Sequence, residues 1–118
     1  NSLQAAVANH GPVSVGIQAD TTIFQFYKDG IIDSTDCGTD LDHGVLVVGF
    51  VRVDSSSTDL PYFIVKNSWG SKWGEEGYVR IMSNGTGDGI CGILGAPTMP
   101  LFLTYAPVAE NAQQLPVL

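Results

Sequence analysis

The stretch Gly44-Val-Leu-Val-Val-Gly-Phe-Val-Arg-Val53 constrains this chain more than any other feature. β-branched and aromatic side chains crowd it, which disfavours a helix and suits a pleated strand. Its weak alternation of apolar and polar residues predicts a strand buried on both faces. The apolar part, Val45 to Val51, falls far short of the roughly 20 residues that cross a bilayer as a helix, so no membrane insertion is expected. Val13-Ser-Val-Gly-Ile-Gln18 alternates as a half-buried strand does, and Tyr62-Phe-Ile-Val-Lys66 and Gly77-Tyr-Val-Arg-Ile-Met82 read as two more strands. Ser2 to Asn9 reads as a short helix with Leu3, Ala6 and Val7 on one face, stopped by Gly11-Pro12, and Thr21 to Lys28 as a helical turn. The expected fold is mainly β with short helices, its sheet mainly antiparallel and closed or strongly twisted.

With 118 residues, 44% of them hydrophobic, the chain can build one core and is not of the disordered class. Twelve Asp and Glu against five Lys and Arg give a net charge of −7, which excludes a basic stripe for nucleic acid or an anionic membrane surface. Asn1 stands where an initiator Met would be, so a processed product or a piece of a longer chain is expected. Beyond Cys91 the sequence becomes irregular, with Pro97, Pro100, Pro107 and Pro116, and the last dozen residues read as a tail.

Cys37 and Cys91 permit one intrachain disulfide and are too few for a cysteine-only metal site. Two buried thiols in a reducing compartment are the alternative. A disulfide would stabilise the fold by roughly 4 kcal/mol on a chain-entropy argument. Asn84-Gly85-Thr86 is an N-glycosylation sequon, and together with a disulfide it favours the secretory pathway.

Chemistry concentrates at strand ends, which commonly border clefts. Leu41-Asp42-His43-Gly44 stands immediately before the long apolar strand and Asn67-Ser68-Trp69-Gly70 just after another. A histidine there can shuttle a proton near neutral pH, whereas His10, beside a Gly-Pro turn, reads as a surface residue. An Asn carbonyl oxygen can hold one ring N–H and orient the imidazole without taking its proton. Trp69 could cover that bond.

Asp42-His43-Gly44, followed by Val65-Lys-Asn-Ser-Trp-Gly70 and Trp73-Gly74-Glu-Glu-Gly-Tyr78, resembles the C-terminal half of a papain-family cysteine protease of the cathepsin L type. The likeness runs from about Ser2 to Pro100. It implies the β-barrel-like right-hand domain of an α+β papain-like fold over residues 1–100, with 101–118 a tail beyond the usual family ending. It further implies that His43 is the catalytic histidine, Asn67 its orienting partner, Trp69 a shield over their bond and Asp42 a local support. Gly16, Leu41, Gly44 and Ala96 match the wall of the pocket for the second residue before the cut, all small or apolar, which implies preference for a bulky apolar residue over Arg. Cys37 and Cys91 match a disulfide pair of the family, not its nucleophile. The family's Cys-Gly-Ser-Cys-Trp-like motif and upstream Gln are not in this sequence, so the implied partner is an N-terminal half carrying the thiol, and this chain alone is expected to be inactive.

The function implied is thiol-dependent hydrolysis of peptides or proteins, with no cofactor or metal, in a lysosome-like acidic compartment or outside the cell. A non-catalytic fragment serving protein contact is the alternative. A metal module built on His43 is disfavoured because no second His or Cys has ligand spacing. Trp73, Tyr78 and glycines 70, 74 and 77 read as shaping a turn, and Glu75 and Glu76 as a solvated pair.

Overall fold

The computed structural model describes residues 1–98, so the expected tail at 101–118 lies outside the described residues. Period-two patterning sorts the strands as the sequence predicts. In β1 (Val13–Ile17) the residues Val13, Val15 and Ile17 are buried while Ser14 is exposed. Antiparallel pairing sets β1 against β3 (His43–Val51), β3 against β4 (Tyr62–Lys66) and β4 against β5 (Tyr78–Met82). Two short edges complete a six-stranded sheet of order β2-β5-β4-β3-β1-β6: β2 (Ile31–Ile32), parallel to β5, and β6 (Pro97–Thr98), antiparallel to β1.

Two expectations are corrected here. The sheet is mainly antiparallel as expected, with one parallel pair, but among the described residues it is open, not closed, because its edge strands are two residues each and no ladder joins them there. Closing a barrel needs a continuous register between the edge strands. Nor is β3 buried on both faces: Val45 and Val47 are buried, Gly44 is exposed and the rest of the strand is intermediate. The pairing explains why the sequence hid this. Val47 faces Val65 and Gly49 faces Ile64, so Val48 is an extra residue, a bulge that resets the alternation. Phe50 thereby faces Phe63 and packs on the same core as Val45 and Val47.

The buried face joins Val79 and Ile81 of β5 to Phe63 and Val65 of β4, and α1 (Ser2–His10) lays Leu3 and Val7 against it. Asn1 caps this helix by accepting from the Gln4 N–H at 2.9 Å, and its Nδ2 donates to Ser83 O at 2.9 Å, tying the helix start to the end of β5. A short α2 (Thr22–Gln25) buries Phe24. Cys37 and Cys91 are disulfide-bonded with Cα atoms 4.8 Å apart, joining two 3-10 turns at Thr35–Cys37 and Ile90–Gly92.

Glu75 is not part of a solvated pair. Its carboxylate accepts from Arg80 Nε at 2.9 Å and Nη2 at 2.7 Å, and from the Gly30 N–H at 3.2 Å, while Glu76 stays exposed. The guanidinium holds the Glu75 carboxyl below its ordinary value. Beside it, burial pushes the Tyr27 phenol up to about 12, so it stays protonated and donates to Gly30 O at 2.7 Å. The Trp73 indole N–H completes this belt by donating to Phe24 O and Gln25 O, both at 3.2 Å.

Candidate active site

Strand phase brings the two predicted polar groups together. His43 shares its face of β3 with Val45 and Val47, and Asn67 follows Phe63 and Val65 on the matching face of β4. Continuing the ladder one step past Leu46 and Lys66 sets Asn67 opposite Val45, which makes His43 its diagonal neighbour, within reach of long side chains. Both therefore stand where the apolar rows run out at one end of the sheet. His43 is half-buried and Asn67 is buried, with 6% of its surface exposed.

His43 Nε2 lies 2.8 Å from Asn67 Oδ1. The same oxygen accepts the Ser68 backbone N–H at 2.8 Å, which orients the amide, since a flipped Asn67 would set its NH2 against that N–H. Nε2 is accordingly the donor. In the neutral ring this leaves Nδ1 as the nitrogen able to accept a proton. Asn67 Nδ2 is buried without a partner among the described residues, a penalty of about 1–3 kcal/mol for holding the amide here.

Trp69 packs on the imidazole with ring centroids 5.1 Å apart and planes tilted by 31°, while the residue as a whole is 41% exposed. Phe24 meets this indole edge-on at 5.4 Å. Asp42 is pinned on both sides: its Oδ1 accepts from the Ala19 N–H at 2.8 Å and its own N–H donates to Ile17 O at 2.9 Å. Sequence reading missed Ala19 and Ser68, because a backbone donor carries no side-chain signal. His10, by contrast, is exposed at the end of α1.

Two hollows meet at His43. One, about 480 Å³, is bordered by Gly16, Leu41, Gly44 and Ala96, all four residues expected there, with Ser14 and Thr98 beyond them. The other, about 180 Å³, lies between Asp20, Gln25 and Trp69. Glycine has a direct role in the first. A Cβ at Gly16 would come within 3.2 Å of Leu41 Cδ1, and one at Gly92 within 2.6 Å of Leu41 Cδ2, so the two glycines seat Leu41 in the wall. At Gly44 a Cβ would meet nothing within 4 Å, which leaves the hollow open. Asp42 also borders this hollow, but its Oδ1 is engaged by Ala19. Asn84 lies at the opposite end of β5 from these groups, and no cluster of metal-ligating side chains occurs among the described residues.

Comparison with known proteins shows the family of the chain. Residues 1–101 match the papain family of cysteine proteases. Over 101 residues the chain is 50% identical to cysteine endopeptidase Rep1 of Oryza sativa subsp. japonica, covering 85% of this chain and 26% of that protein. Over 100 residues it is 46% identical to human cathepsin L2, covering 84% of this chain and 29% of that protein. The structure of the bromelain protease from Ananas comosus in complex with the E64 inhibitor superposes with a TM-score of 0.70 at 40% identity, covering 84% of this chain and 45% of that one. The chain thus spans between a quarter and a third of the length of these curated relatives and under half of the solved protease chain.

Proposed function

The chain belongs to the papain family of cysteine proteases, and from that premise we propose that it is the half of an endopeptidase that brings base and orienting amide to a thiol on an N-terminal half. In this reading residues 1–100 form the β-rich half and 101–118 extend beyond it. The observation that carries it is the shared Oδ1 of Asn67, which takes both the Ser68 N–H and His43 Nε2 and so leaves Nδ1 as the ring nitrogen that can exchange a proton.

A thiol beside protonated His43 ionises well below its ordinary pKa of about 8.5, because the imidazolium favours the thiolate. The thiolate attacks the scissile carbonyl, and Nδ1–H of His43 donates its proton to the departing amine. The same nitrogen then takes a proton from the water that hydrolyses the acyl-enzyme. Asn67 keeps the ring aimed throughout. Being neutral, it does not compete with the thiolate for the imidazolium charge. Trp69 covers the outer side of the pair and limits water access to the bond.

The hollow bordered by Gly16, Leu41, Gly44 and Ala96 receives the residue two before the cut. Its wall of small and apolar residues favours a bulky apolar side chain, since seating a guanidinium against them would strip the charge of water. The disulfide supports folding in an oxidising route, so the working compartment is lysosome-like or extracellular.

The test uses a thiol-directed epoxide. Mixed with this chain alone it should label nothing, because both cysteines are in the disulfide; with both halves present, labelling of one cysteine on the N-terminal half should abolish peptidase activity. Activity of the isolated chain, or labelling at Cys37 or Cys91, would overturn the assignment. A peptide-library optimum at Arg two residues before the cut would reject the pocket reading.

A further inference from the structure

Asn84-Gly85-Thr86 occupies the turn that links β5 to the second half-cystine, and neither the groove nor the core makes use of its polar side chains. We propose that Asn84 carries an N-linked oligosaccharide, displayed at the pole of the sheet opposite the catalytic groove.

Three observations carry this beyond a three-residue match. The turn is folded back on itself: Gly89 N–H donates to Thr86 O at 3.0 Å, and a Cβ at Gly85 would come within 3.1 Å of Ile90 N and 3.2 Å of Gly89 Cα. The middle residue is therefore held against backbone, while Asn84 and Thr86 on either side of it are exposed. Neither of these two side chains enters a hydrogen bond among the described residues, so both the amide and the hydroxyl that a transferase reads are free. Independently, Cys37 and Cys91 are joined, and an oxidising compartment that forms such a bond in a secreted protein is the one in which oligosaccharide is transferred.

The reaction balances with one co-reactant, a lipid-diphosphate-linked oligosaccharide. Asn84 Nδ2 forms a bond to the anomeric carbon of the reducing-end sugar. The bond from that carbon to the diphosphate oxygen breaks, the lipid diphosphate leaves, and Nδ2 loses a proton to base. Position determines the consequence. β5 runs from Tyr78, next to the Asn67 end, to Met82, just before the sequon, so at roughly 3.3 Å per residue the glycan root stands more than about 15 Å from the His43–Asn67 pair. A sugar there leaves the groove open.

The test secretes the intact parent protein from a eukaryotic host and releases glycans with peptide N-glycosidase in heavy-oxygen water, followed by peptide mass spectrometry. Asn84 should appear as aspartate carrying heavy oxygen. Asn84→Gln and Thr86→Ala should lose the label, Thr86→Ser should keep it, and kcat/KM of Asn84→Gln should stay within about twofold of the parent. Aspartate with ordinary oxygen would reflect spontaneous deamidation of this exposed Asn-Gly pair and would overturn the proposal, as would unmodified Asn84. A tenfold fall in kcat/KM for Asn84→Gln would overturn the placement away from the groove.

Discussion

Trp69 and Trp73 meet edge to face with ring centroids 5.4 Å apart, yet the regions they belong to are built on opposite terms. Around Trp73 the polar capacity is used internally: its indole N–H goes to two carbonyls, Tyr27 to Gly30, and Glu75 to Arg80 and Gly30. Around Trp69 it is left open, with one ring nitrogen of His43 uncommitted among the described residues and the indole beside the imidazole 41% exposed. The same residue type, four positions apart, thus serves packing in one case and a cleft in the other. Sequence composition cannot separate the two, but hydrogen-bond closure does.

Five substitutions would break or sharpen that contrast. The largest effect is expected from His43→Ala in the assembled protease: kcat/KM falls about a thousandfold, the loss typical of a general acid-base group, while the melting temperature holds. A normal rate would remove His43 from the mechanism. Next comes the indole pair. Trp73→Ala should destabilise the fold by about 3 kcal/mol in urea melts, whereas Trp69→Ala should cost under about 1 kcal/mol and act mainly on kcat. Equal destabilisation by both would erase the distinction drawn here. Asn67→Ala removes a bond worth roughly 1.5–3 kcal/mol to the charged ring, so kcat should drop tenfold to a hundredfold, with a shifted pH profile for kcat.

Glu75→Gln should give the smallest effect, confined to stability. Glu75 and Arg80 keep about a third of their side-chain surface exposed, 29% and 34%, so solvent screens the pair to about 1 kcal/mol or less. Because the folded carboxyl titrates below its ordinary 4.5, this contribution is fully present above that value and is lost as pH falls through the depressed one. Thermal melts of parent and variant should therefore converge only once pH has fallen below that depressed value, and a gap that persisted there would mean that packing, not charge, is the cause.

The end of the sheet that carries His43 and Asn67 was legible in sequence because both stand at strand ends, in motifs that resemble a known family. His43, Val45 and Val47, and Phe63, Val65 and Asn67, form two rows whose last members are polar, so the strand pattern itself aims both groups to one place. The glycines and Leu41 of the first hollow were legible only through family resemblance. What stayed hidden depended on tertiary pairing. The bulge at Val48 erased the alternation of β3, the parallel addition of a two-residue β2 left the sheet open, and the bond from Arg80 to Glu75 crosses a turn with no periodic signature.

The donor that orients Asn67 is main chain, not side chain, and this has an evolutionary consequence. Nearly any amino acid at position 68 would keep the amide pointing its oxygen at the imidazole, and proline alone, lacking the N–H, would erase it. The proton's address on the ring is therefore insulated from most sequence drift at the very residue that fixes it.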